Sequence, residues 1–235
     1  MRAVSLARSW SPPGVAKVRA TPRVSINKLG EYLKAGPARR RKIVQDQKRP
    51  PTFQVIRYTE AESAIVESLL ADDVTVLDDA VDALQSTTPI SKYDDQRITL
   101  CIEAIEAFRR IDLSGLGIPT FVHPSPAPAT LSIAGVEVSV RPSVAARLKT
   151  RNGARLGLGK VYISKSFELD DDAGEYVAAV MRHFADVHYG TTDHRKVFVI
   201  DVFAGRVFVA PKAITRRMED VEAACEEIAA RWGTT

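Results

Sequence analysis

Two apolar runs constrain this chain's fold more than anything else in it: residues 156–164 (LGLGKVYIS) and 197–203 (VFVIDVF). Both are of strand length. The second is almost unbroken in its apolarity, the pattern of a strand covered on both faces. Between them, from about Asp170, Ala173, Val177, Val180, Phe184 and Val187 recur at helical spacing. A strand, a long helix and a strand supply enough chain for a right-handed crossover between parallel neighbours. Ala204-Gly205 then turns the chain into a further strand at 206–210. Pro211 precedes a last helix with Met218, Val221, Cys225, Ile228 and Trp232 on one face.

The stretch 131–166 leads into this unit. Leu131 and Ile133, then Val136, Val138 and Val140, alternate with polar residues on either side of a turn at Gly135. Glu137 and Arg141 therefore share the face opposite the valines. A basic loop containing Gly153 connects this strand to the one carrying Lys160.

Upstream the period is helical. Ile26, Leu29, Tyr32 and Leu33 predict a short helix after Ser25, stopped by Gly36-Pro37. ARRRKIVQDQK, from Ala38, predicts a second, broken by Arg49-Pro50-Pro51. Residues 52–58 read as a short strand. Thr59 followed by Glu62 has the capping-box pattern and opens a helix through Leu70. Val74, Leu77, Val81 and Leu84 mark another. Ile98, Cys101, Ile102, Ile105 and Phe108 mark the best helix of this half, from about Tyr93 to Ile111. After Ser114-Gly115-Leu116-Gly117 the period shortens, with a strand at 118–122 and a proline-rich connector at 123–128. The expected class is α/β, a mixed sheet flanked by helices. The expected organisation is a flexible basic lead-in at 1–23, a helical region at 24–112, and an α/β core at 113–235 whose first helix lies at about 93–111.

Charge is distributed unevenly. Residues 1–49 hold 13 Lys/Arg against 2 Asp/Glu, and residues 60–112 hold 4 against 13. Two readings are open: the basic arm binds a polyanion such as nucleic acid, or it docks on the chain's own acidic block. Arg39, Arg40, Arg41 and Lys42 crowd the first turn of their helix, the unfavourable end of its dipole for cations. The cluster either serves a partner or is a solvated basic face. Residues 137–165 hold seven basic residues and one acid, a balance that attracts phosphate without reading bases. Apolar runs are far shorter than the roughly 20 residues a bilayer span needs. The N-terminus lacks an apolar stretch of signal-peptide length. A soluble, cytoplasmic protein is the expectation, with Cys101 and Cys225 as buried reduced thiols.

The order helix, strands, helix, strand from Tyr93 to about residue 203 resembles the PD-(D/E)XK nuclease superfamily, in particular its RecB/Cas4-like branch. INKLGEYLKAGPARRRKIV is similar to that branch's short helical S-x-L-x-x-Y-x-x-C-P-R entry, with Gly36 where the cysteine would stand. The resemblance implies a restriction-endonuclease-like core of one helix, three meandering strands, a crossover helix and a fourth strand. It implies a divalent metal, Mg²⁺, held by acids on the second and third strands, with a lysine two positions after the second acid and often a glutamate from the first helix. Lys160 stands in the lysine position. Leu158 then stands where the second carboxylate belongs, and Arg141-Pro142-Ser143 puts serine where an aspartate is expected. Glu137 is the nearest acid on that strand, and Glu103 or Glu106 are the first-helix candidates.

The leading expectation is therefore a nucleic-acid-associated protein that binds DNA and is catalytically impaired. Arg39, Arg40, Arg41, Lys42, Arg141, Lys149, Arg151, Arg155 and Lys165 are its candidate phosphate contacts. One alternative is an active Mg²⁺-dependent nuclease with rearranged ligands, using Lys160, Glu137, and Glu103 or Glu106. Another is a protein-interaction or regulatory subunit docking through 60–112. The family resemblance would fit a mobile-element or phage-defence setting. Other motifs carry less. Asp201 reads as either a site carboxylate or a buried acid met by backbone donors, the commoner arrangement. Gly157-x-Gly159-Lys160 is too short for a phosphate loop. His123, His183, His188 and His194 share no metal spacing.

Overall fold

A computed structural model describes residues 18–50, 58–125, 129–150, 153–190 and 192–234. The strand expected at 52–58, most of the 1–23 lead-in and Arg151 lie outside or almost wholly outside these residues. In chain order the elements are β1 (Arg23–Ser25), α1 (Ile26–Lys34), α2 (Pro37–Lys48), α3 (Thr59–Ala71), α4 (Thr75–Ser86), α5 (Lys92–Phe108) and β2 (Phe121–Val122). They continue with β3 (Thr130–Ile133), β4 (Val136–Ser139), β5 (Val144–Thr150), β6 (Gly153–Tyr162), α6 (Asp171–Tyr189), β7 (Val197–Asp201), β8 (Arg206–Val209) and α7 (Thr215–Thr234).

The fold is α/β, with a mixed five-stranded sheet of order β2-β5-β6-β7-β8 flanked by helices. β6 and β7 run parallel, Lys160 opposite Val199, joined through α6 as the two apolar runs require. β7 is buried along its whole length, which explains its continuous apolarity. Its alternate residues enter two cores on opposite faces of the sheet. Val197 and Val199 join α6, α7, α1 and α2, whereas Phe198 and Ile200 join α3, α4 and α5.

The chain between Val136 and Tyr162 departs from the expected meander. β4 does not pair with β6. It sits in a separate three-stranded sheet of order β1-β4-β3, closed by a tight turn in which Ala134 and Gly135 both take positive φ. The expected basic loop is mostly strand: β5 and β6 form a long antiparallel hairpin from Val144–Gly159 to Thr150–Gly153. Arginine and lysine at 147–155 masked this pairing, because charged residues dilute the alternation that marks a strand.

The stretch 24–112 also does not pack as one unit. Val24, Ile26, Leu29, Tyr32, Ile43 and Val44 lie in the core beneath α6 and α7, while α3 to α5 cover the opposite face of the sheet. Helix starts follow the sequence: Ser25, Ser91 and Asp170 each accept a backbone N–H as N-caps. The Thr59/Glu62 capping box does not form. α3 starts on Tyr58 without a side-chain cap, and the Glu62 carboxylate points elsewhere. Cys101 and Cys225 are both buried, and no described helix is long and apolar enough to cross a membrane.

Candidate functional site

Lys160 lies on β6 where the β5–β6 hairpin opens, and only 8% of its surface is exposed. Its ammonium donates a hydrogen bond to the Arg141 carbonyl at 3.2 Å. Across the hairpin end, the Ser143 hydroxyl accepts the Val161 N–H at 3.1 Å and donates to Glu62 Oε1 at 3.2 Å. Glu62 reaches this point from α3, which packs on the sheet beside β2, β5 and β6. Burial holds the Lys160 ammonium below its ordinary value of 10.5. The nearby Glu62 charge opposes that shift and Arg141 adds to it. Lys160, Ser143 and Glu62 thus converge at one end of two neighbouring strands, with Arg141 and Pro142 at the rim.

Glu62 was legible only as a helix-start residue, since nothing in its local sequence says that α3 crosses the end of β5. The first-helix acids expected at Glu103 and Glu106 lie on α5 in surface ion pairs. Glu103 binds Lys165 at 2.6 Å and Glu106 faces Arg109 at 3.7 Å. Glu137 belongs to the three-stranded sheet, where it opposes Arg23 in register and pairs with it at 3.2 Å. The structure therefore does not assemble Glu137, Glu103 or Glu106 with Lys160 as one metal-binding set, and no described cluster of His, Cys, Asp or Glu could hold a metal. The residues at Lys160 do not fit Mg²⁺ either. One carboxylate, one hydroxyl and an ammonium, with buried Leu158 in the second acid position, are too poor in anionic oxygen for a hard dication.

Four of the nine expected phosphate contacts, Arg39, Arg40, Lys42 and Lys165, are engaged within the chain. Glu31, 3% exposed, binds Lys28 and Arg39, each at 2.6 Å. Arg40 donates to the carbonyls of Tyr32 and Leu33 at the end of α1 and to Glu227 on α7, and its guanidinium lies over the Tyr32 ring. Lys42 pairs with Asp46, and Lys34 with Asp172. Arg39, Arg40 and Lys42 at the start of α2 are thus met by acids and by the C-terminal carbonyls of α1, which offsets their poor placement on their own helix dipole. The described part of the arm docks on α6 and α7, not on the acidic block at 60–112. Arg41 remains exposed. Lys149 and Arg155 are placed by their backbone in the β5–β6 hairpin.

A substitution isolates the cost of holding Lys160. Lys160→Met retains the packing volume and removes a desolvated ammonium whose hydrogen bond goes to the Arg141 carbonyl. The variant is expected to be more stable than the parent by about 1–2 kcal/mol near neutral pH, measured by urea unfolding. Between the lowered folded value and 10.5 the unfolded chain holds a proton that the native chain has released, so native stability rises with pH across that window. The advantage of Lys160→Met should therefore narrow as pH approaches 10.5. A destabilised variant would mean that the ammonium contributes more than it costs.

Neither a known protein-family model nor a curated protein sequence matches this chain.

Proposed function

We propose that this protein binds DNA through a nuclease-like core that has lost the acids needed for cleavage. What supports the reading is the order of elements around Lys160. A helix (α3), an antiparallel meander (β2-β5-β6), a crossover helix (α6) and a parallel fourth strand (β7) follow one another, with α4, α5 and the β3–β4 hairpin inserted. That is the arrangement a PD-(D/E)XK core would have. The lysine lies on the third strand of the meander, beside a helix glutamate and opposite the start of the second strand. With Ser143 and Leu158 in the two strand positions that would hold metal, a buried lysine beside a phosphate can neutralise charge but cannot activate water through a metal.

Two measurements test the reading together. Binding to duplex DNA across a salt series should weaken steeply, with a slope of log affinity on log salt of about −0.9 per phosphate neutralised. Plasmid and single-stranded DNA incubated with Mg²⁺ or Mn²⁺ should remain uncut. Absence of binding at low salt overturns the reading. Cleavage abolished by Lys160→Ala would restore the active-nuclease alternative.

One observation favours a second reading, that of a protein-docking module. A groove of about 780 Å³ between α3 and α4 has Ala64, Ala80 and Leu84 along it and Glu60, Glu67 and Asp79 around it. Light scattering over a concentration series distinguishes the readings. A dimer that dissociates on substitution in this groove supports docking, and a monomer that holds DNA supports the first reading.

A further inference from the structure

We infer that the cleft between the three-stranded sheet and the start of α1 seats a phosphate group, and that it is the point where a nucleic-acid backbone approaches Lys160. The inference rests on the DNA-binding reading above and names the surface that carries it.

The cleft has a volume of about 250 Å³ and is lined by Arg19, Arg23, Ser25, Lys28, Gln47, Pro50, Ser139 and Arg141. Four lining residues are cations from separate parts of the fold, and none is an acid. Arg19 precedes β1, with its carbonyl held by the Trp232 indole and its backbone N–H donating to the Lys48 carbonyl. Arg23 stands on β1, Lys28 in the first turn of α1, and Arg141 follows β4. Ser25 caps α1, and Ser139 faces it in register across β1 and β4. The positive end of the α1 dipole therefore points into the same space as the four cations.

Two neighbouring acids reduce the field without filling the cleft. Glu137 holds Arg23 in an ion pair that is roughly 40% solvent-exposed, and Glu31, shared with Arg39, holds Lys28 from beneath. The exposed Arg23–Glu137 pair contributes little, so Arg23 can turn to an incoming anion, whereas Lys28 stays seated on buried Glu31. The side chain of Arg141 is exposed. Its backbone carbonyl is the one that receives the Lys160 ammonium, so Arg141 links the cleft to the buried lysine. None of Arg39, Arg40 or Lys42 lines this cleft. The sequence drew attention to the arginine run, but the cations that line this concave surface are mostly others.

The test compares Arg141→Ala and Lys28→Ala with Arg110→Ala, an exposed cation on the acidic helical layer, all in the full chain. Arg141→Ala keeps the carbonyl that holds Lys160, and Arg39 still pairs with Glu31 in Lys28→Ala, so both variants retain the local fold. Each cleft substitution should weaken DNA binding about tenfold at moderate salt and reduce the salt slope by about one. Arg110→Ala should do neither. Inorganic phosphate should raise the melting temperature of the parent above that in chloride of equal ionic strength, and should not do so for the Lys28→Ala/Arg141→Ala pair. If the parent binds DNA and all three single variants match it, the cleft assignment falls while DNA binding stands. If the parent binds no DNA, the DNA reading falls and phosphate stabilisation alone decides the cleft. A parent indifferent to phosphate overturns it.

Discussion

Gly157→Ala and Gly159→Ala should each lower stability by about 3 kcal/mol, the upper part of the range for overpacking a close-fitted core. In a chain of 235 residues that corresponds to a fall in melting temperature of roughly 6–12 °C. Neither glycine has a positive φ, so the cost is one of space. A methyl group on Gly157 would meet the backbone carbonyl of Lys196 and would lie 2.7 Å from its Cβ. The Lys196 backbone is held in place at the start of β7, its N–H donating to the Asp193 carbonyl at 2.8 Å. A methyl group on Gly159 would meet the edge of the Phe198 ring and would lie 2.8 Å from the Val144 side chain. Phe198 is fully buried and packs edge-on against Phe121. The Gly-x-Gly-Lys sequence therefore lets β7 and its aromatic approach β6 closely, and it positions Lys160 only indirectly. Thermal unfolding of the two variants checks this. Unchanged melting temperatures would mean that the strands can separate to admit a methyl group.

Asp201→Ala is the second large effect, also about 3 kcal/mol. Asp201 is fully buried, accepts the Leu169 N–H at 2.7 Å on one oxygen and the Ala204 N–H at 3.1 Å on the other. It ties the link from β6 into α6 to the β7–β8 turn. Alanine would leave these backbone donors buried and unpaired, at about 1–3 kcal/mol for each. Asp201→Asn keeps an acceptor and should lose roughly half as much. The acid is also a pH probe. Burial raises its pKa above the ordinary 3.8, against the opposing pull of the backbone donors. Between 3.8 and the raised value the native chain holds a proton that the unfolded chain has lost. The stability Asp201 contributes is thus present in acid and declines as pH rises through the folded value. The stability of the parent relative to Asp201→Asn should follow that decline. A pH-independent difference would show that the acid titrates normally.

These two residues also mark how far local pattern reaches. Asp201 could be read from the sequence as an acid interrupting an apolar strand, and backbone satisfaction is the general solution for such a group. The glycines could be excluded as a phosphate loop but not explained, because their partners, Lys196 and Phe198, are nearly 40 residues away. The same boundary separates the legible helices from the misread site. Ile98, Cys101 and Ile105 announce α5 through their spacing, and they are buried as that spacing requires. Glu103 and Glu106 on the same helix look like first-helix acids, but α5 is an outer element of its layer and its acids meet Lys165 and Arg109 at the surface.

The sequence by itself determined the α/β class, the parallel β6–α6–β7 unit, the boundaries of most helices and the absence of acids at Ser143 and Leu158. Those properties depend on periodicity and residue identity, which are local. Only the tertiary structure decided that β4 leaves the main sheet and takes Glu137 with it, that Glu62 reaches Ser143 beside Lys160, and that Arg40 meets Glu227 on α7. It also decided that Arg19, Arg23, Lys28 and Arg141 surround one cleft. Each of these is a pairing between segments far apart in sequence. Charge and alternation predict that a side chain needs a partner, but the partner is chosen by strand register and helix packing.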